Sequence, residues 1–105
     1  MLIQKSSKID VGDIISFKLA NGDEIIGKVA EETATDFVLS KPCLAIPSQQ
    51  GVGLMQAMFT FDPEADVPVS KAHIMMKSPT VEMLKQHYLK TMTGLEILPQ
   101  GAKLR

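Results

Sequence analysis

The sequence predicts a mainly β fold: a bent, five-stranded antiparallel open barrel followed by one C-terminal α-helix. Three observations carry that expectation. Apolar and polar residues alternate with a two-residue period in the first half, an Asn-Gly pair sits between two such runs, and helical spacing is sustained only after Pro79. At 105 residues the chain makes one small domain, with 45% hydrophobic and 22% charged residues, a globular composition. Its single cysteine supplies no internal disulfide, so oligomerisation is the natural source of additional buried area.

In the first strand, Ile15, Phe17 and Leu19 alternate with Ser16 and Lys18. Asn21-Gly22 then tolerates the positive φ of a tight hairpin. On the return strand, Ile25, Gly27 and Val29 alternate with Ile26, Lys28 and Ala30. A glycine inside a strand pattern marks a bend or bulge, so Gly27 is expected to curl the sheet.

A third strand is expected at Phe37-Val38-Leu39-Ser40-Lys41. Pro42 marks an edge, a bulge or an interruption before Cys43–Ile46, because it has no N–H for a ladder. Pro47–Gly51 reads as a loop and Gly53–Phe61 as a fourth strand, apolar on both faces and therefore expected to be covered on both. Asp62-Pro63-Glu64-Ala65-Asp66 is an acidic turn, and Val69–Met76 a fifth strand. Ser78-Pro79 then has the signature of a helix start, with the hydroxyl as cap, proline in the first turn and Glu82 at the positive end. Val81, Leu84, Tyr88 and Met92 form its apolar stripe, Leu89 widens it, and Gly94 is placed to end it. The expected organisation is thus a single domain, with a barrel over about 10–77, a helix over about 79–93 and a frayed tail over 95–105. This is the plan of a small SH3-like barrel, which leaves exposed edges for other subunits to pair with.

Charge is unevenly placed. Residues 1–68 carry five lysines against ten acids, a net of −5, whereas residues 69–105 carry six bases against two acids, a net of +4. Such a chain can pair head to tail with its own copies or offer a basic face to a polyanion. No apolar run reaches the ~20 residues of a membrane helix, and the first five residues are too short for a signal sequence, so a cytoplasmic protein is expected.

No enzyme signature emerges. Cys43, His73 and His87 are the only soft ligands and have no metal-motif spacing. Cys43 reads as a small buried hydrophobe. Gly51-Val52-Gly53 lacks the lysine and helix of a phosphate loop, and Asp62, Glu64 and Asp66 lack the further ligands of a cation loop. No catalytic residue, cofactor or metal is expected. Seven methionines beside five aromatics suit an adaptable interior or subunit interface.

The hairpin resembles the first motif of the Sm and Lsm proteins. Gly22 and Gly27 have that family's five-residue spacing, within Leu19-Ala20-Asn21-Gly22-Asp23 and with Ile25 and Val29 around them. Phe37-Val38-Leu39 also resembles the third strand of Hfq, the bacterial Sm-like RNA chaperone. The likeness covers residues 14–41 well and 69–78 loosely, and it suggests a divergent, phage-type member working in a host cytoplasm.

The resemblance implies a homo-oligomeric ring of about five to seven subunits, closed by pairing the fourth strand of one barrel with the fifth of the next. Family helices precede the first strand, whereas the helix here follows the last. The resemblance also implies single-stranded RNA binding in a chaperone or adaptor role. Family members place an aspartate and an asparagine around the loop before the third strand, and a basic residue with glycine between the last two strands. Here the first site holds Thr35, Asp36 and Phe37, without the asparagine. For the second, Met76-Lys77-Ser78 offers Lys77 by pattern, whereas the strand count points to the acidic Asp62–Asp66 turn. In an RNA site Phe37 would stack on a base, Thr35 and Asp36 would bond its edge, and Lys77 beside Ser78 would neutralise phosphate. The competing expectation is an assembly ring that keeps the fold and has lost RNA binding.

Overall fold

The computed structural model describes the backbone over residues 9–101 and side chains as far as Met92. It is mainly β: one antiparallel sheet of six strands and a C-terminal helix. The strands are β1 (Ile14–Leu19), β2 (Glu24–Glu32), β3 (Asp36–Ser48), β4 (Gly51–Gln56), β5 (Asp66–Ser70) and β6 (Ile74–Pro79), and α1 spans Glu82–Gly101. They lie in the order β4-β3-β2-β1-β6, with β5 paired to β3 as well.

The β1–β2 hairpin forms as its sequence predicts. Leu19 N–H bonds the Asp23 carbonyl and Gly22 N–H the Leu19 carbonyl, at 2.8 and 2.9 Å. Gly22 has φ 98°, in the left-handed region that glycine enters without a Cβ penalty. The Asn21 side chain accepts from Asp23 N–H at 3.0 Å and closes the turn.

A bulge shapes the rest. The β2–β3 register runs from Ile26↔Cys43 to Lys28↔Ser40, so Lys41 and Pro42 together oppose Gly27. Lys41 takes up the extra residue with φ 47°. On the inside of the bend, a Cβ at Gly27 would lie 2.9 Å from Leu39 Cδ1, so only glycine lets the strands approach this closely. The bulge also redirects β3. Its first part, Asp36–Ser40, pairs with β5, and its second part, Cys43–Ser48, pairs with β4. Of the roles open to Pro42, the bulge is therefore the one it takes.

The same bulge sorts the core into two layers. Ile15, Phe17, Ile25, Val29, Phe37 and Leu39 pack on the concave face, with Phe17 and Phe37 rings 5.2 Å apart. Ile14, Ile26 and Cys43 face the other way and meet Tyr88 of α1, with Leu54, Leu84, Leu89 and Met92 around them. Tyr88 is fully buried. Its hydroxyl donates to the Ser40 carbonyl at 2.7 Å and accepts from Lys28 N–H at 3.2 Å, bridging two register partners beside the bulge. Burial pushes the Cys43 thiol up to about 11 and the Tyr88 phenol higher still.

Several boundaries differ from those expected. There are six strands instead of five, because the expected fifth strand is split in two, and Pro47–Gly51 is the tight end of a β3–β4 hairpin rather than a loop. β4 stops at Gln56, and the stretch expected to continue it to Phe61 leaves Met58 and Phe59 exposed, so it is not covered on both faces. The expected fifth strand is broken by a 3-10 turn at Lys71–His73, where Ser70 Oγ accepts from Ala72 N–H.

The helix also starts later. Ser78 and Pro79 are not its cap and first turn but end β6, opposite Ser16 and Ile15, and Thr80 N–H extends that ladder to the Ile14 carbonyl. Ladder pairing with β1 outcompetes the capping signal. Val81 is correspondingly exposed, outside the packed stripe. Backbone helix runs through Gly94 and on to Gly101, correcting the expected tail, whose last four residues lie outside those described. Among the described residues no helix is long and apolar enough to cross a membrane.

Candidate functional site

Two turns meet at one corner of the sheet. The β2–β3 turn is ordered by Thr33, whose hydroxyl accepts from Asp36 N–H at 2.9 Å and Thr35 N–H at 3.3 Å while its own N–H bonds the Asp36 carbonyl. The β5–β6 turn is the 3-10 segment Lys71-Ala72-His73. Lys71 N–H donates to the Thr35 carbonyl at 2.8 Å, which ties the two turns together.

Phe37 lies beneath this junction and is buried on β3, 3% exposed. The Lys71 ammonium sits 5.0 Å from its ring centroid, within reach of a cation–π attraction. The same ammonium makes a 2.7 Å ion pair with Glu32, both partners being about one-third or more exposed. Glu32, Phe37, Lys71, Ile74 and Lys77 line a small shared concavity.

The sequence-predicted residues are therefore partly brought together. Phe37 and Lys77 reach the same concavity, and Thr35 and Asp36 flank it on the adjoining turn. Their roles are narrowed by what they already touch. Phe37 packs against Phe17, so its ring lies in the core and its face is not free for stacking. The Asp36 carboxylate accepts from the Thr35 hydroxyl at 3.0 Å. Ser78 lies further along β6, and its hydroxyl donates to the Pro79 carbonyl.

The turn between the last two strands is neither of the two segments weighed from the sequence. Lys77 is inside β6, opposite Phe17, and the Asp62–Asp66 turn precedes β5. Lys71 occupies the turn instead. It was hard to find because Ser70-Lys71-Ala72-His73 has no glycine, proline or asparagine to mark a break. Ser70, which caps the 3-10 turn, was the one available signal.

The remaining polar candidates stay apart. His73 and His87 are exposed on different elements and Cys43 is buried. No cluster of three metal-ligating side chains occurs among the described residues. Asp62 closes a local turn by accepting from Glu64 N–H at 2.9 Å.

A second surface feature is apolar. Met58, Phe59, Met75 and Met76 are all exposed, the last three at 77%, 68% and 67%. β5 and β6 each pair on one side only. Strand alternation, anchored by Lys71 N–H→Thr35 and Thr80 N–H→Ile14, turns the backbone of residues 66, 68 and 70, and of 77 and 79, toward these free edges. Pro68 and Pro79 fall at outward positions, where a missing N–H breaks no internal ladder bond.

No protein-family model matches the chain, and no curated protein matches it significantly.

Proposed function

We propose that the chain is a non-enzymatic subunit of an Sm-like homo-oligomeric ring that binds single-stranded RNA, in a chaperone or adaptor role. The observation that carries this reading is the tie between the 33–35 turn and the Lys71–His73 turn over Phe37. It sets Thr35, Asp36 and a basic residue between the last two strands at one corner, as the resemblance of the hairpin leads one to expect. The strand path supports an SH3-like open barrel, since β5 and β6 join β3 to β1 through one 3-10 turn.

Assembly is supported by the free edges of β5 and β6 and by the exposed Met75 and Met76 on β6. A ring of about five to seven subunits would pair those edges and repeat a weak RNA contact around one axis, where effective concentration makes up for modest affinity. At the corner Lys71 and Lys77 would meet phosphate, and Thr35 would bond a base edge.

The alternative is an assembly ring without RNA. The Glu32–Lys71 ion pair and the burial of Phe37 favour it, because each removes a group that RNA would use. Fluorescence anisotropy with labelled oligouridine and oligoadenine at two salt concentrations separates the two. RNA binding predicts a complex that weakens as salt rises and loses affinity in Lys71→Gln. An oligomer with no anisotropy change at low salt establishes the assembly role instead.

A further inference from the structure

Two of the concavities that Lys77 borders set it beside a lysine from outside the strands. On one side it joins Phe37 and Lys71 at the corner described above. On the other it joins Ser78, Thr80 and Lys85 in a cleft of about 340 Å³ between the 12–15 segment and the β6–α1 junction. That volume is at the lower end of the range that holds small ligands.

The charges in this cleft are loosely held. No described acid pairs with Lys77, and the nearest carboxylate to the Lys85 ammonium is Glu82 at 4.0 Å, an exposed pair with little hold on it. Asp13 is the one acid on the cleft wall, and its Oδ2 already accepts from Asp10 N–H at 2.9 Å. The Thr80 hydroxyl shares a 2.8 Å bond with Ser16. When Ser16 donates, the Thr80 proton is available to a ligand oxygen. Two lysines against one carboxylate leave the cleft wall net positive, and with the Thr80 hydroxyl as donor this favours an anion such as phosphate.

We infer that this cleft is a phosphate subsite: a strand leaving the Phe37–Lys71 corner crosses Lys77 and seats a phosphodiester between Lys77 and Lys85. The inference rests on the RNA reading above, and it makes the helix that follows the last strand part of the binding surface. Lys85 is half-exposed and outside the core, so Lys85→Gln leaves the fold intact.

The test compares three- and six-nucleotide oligouridines on wild type, Lys71→Gln and Lys85→Gln. Lys71→Gln weakens both lengths. Lys85→Gln weakens the hexamer several-fold, spares the trimer, and flattens the dependence of log affinity on log salt by about 0.7, one single-strand phosphate contact. An unchanged hexamer affinity and slope in Lys85→Gln, with Lys71→Gln impaired, overturns the subsite and leaves the corner standing. Pyrophosphate, followed by NMR on the Ser78 and Thr80 amides, gives a readout independent of RNA. Shifts that vanish in Lys85→Gln support the cleft as an anion site even if no RNA binds, an outcome that would overturn the RNA reading alone. Absence of shifts at millimolar pyrophosphate overturns the subsite.

Discussion

The two halves of this sheet are built to different degrees of completion. Among the described residues, every buried one lies between Ile14 and Cys43, apart from Tyr88 on the helix. β1 and β2 are packed on both faces, by the aromatic layer on one and by α1 on the other, and β3 joins the first layer through Phe37 and Leu39 and the second through Cys43. β4, β5 and β6 contribute no buried residue, and the loop and strand around them expose Phe59, Met75 and Met76. One half has its core within the chain. The other packs only partly buried side chains, Leu54, Val69 and Ile74, against that core and leaves large apolar side chains exposed.

Breaking the packed half should have the largest effects. Tyr88→Ala removes the one fully buried helix side chain among the described residues and is expected to cost about 3–5 kcal/mol, as other buried aromatic truncations do. Tyr88→Phe isolates the polar part: the Ser40 carbonyl and Lys28 N–H lose their shared hydroxyl, at about 1–3 kcal/mol. Urea unfolding monitored by circular dichroism measures both, and an unchanged midpoint in Tyr88→Phe would show that the hydroxyl bridge contributes nothing.

A pH effect of similar size comes from the same layer. The Cys43 thiol is raised to about 11 from an ordinary value of 9.0. The folded state therefore holds its proton where the unfolded state has released it. Stability is fully present below pH 9 and falls as pH rises from there toward 11, by about 2–3 kcal/mol at most for a two-unit displacement. The Tyr88 shift has the same sign. Urea midpoints at pH 8 and pH 10.5 check the direction, and Cys43→Ala should flatten the slope between them.

Gly27→Val probes the bend between the two halves. Its Cβ would overlap Leu39, so a loss of about 1–3 kcal/mol is expected from overpacking. Gly22→Ala, strained by positive φ but facing open space, should cost about 1 kcal/mol. Smallest of all in its effect on the single chain is the open half. Changing Met75 and Met76 to glutamine should shift the intrinsic stability of the subunit by about 0.5 kcal/mol or less while lowering its mass in solution. An unchanged mass would remove these methionines from the interface.

The sequence was most legible where local chemistry and tertiary packing agree. Asn21-Gly22, the alternation around Phe17 and Ile25, the bend at Gly27 and the Leu84–Tyr88–Met92 stripe all appear in the structure as read. It misled where two local signals competed. Ser78-Pro79 has every mark of a helix start, yet its backbone is taken by the β1 ladder. The apolar run beyond Gln56 suggests a strand, yet no neighbouring strand is present to pair with it. At the candidate site Phe37 was identified and Lys71 was not. Its turn is defined by a 3-10 hydrogen bond and a contact with Thr35 across the fold, and neither leaves a pattern in adjacent residues.

Solution mass by light scattering tests the proposed ring most directly, because in that ring a second copy covers the exposed half. The account predicts one species of about five to seven subunits at micromolar concentration, consistent with closed-ring assembly. A monodisperse monomer of 11.5 kDa would contradict it.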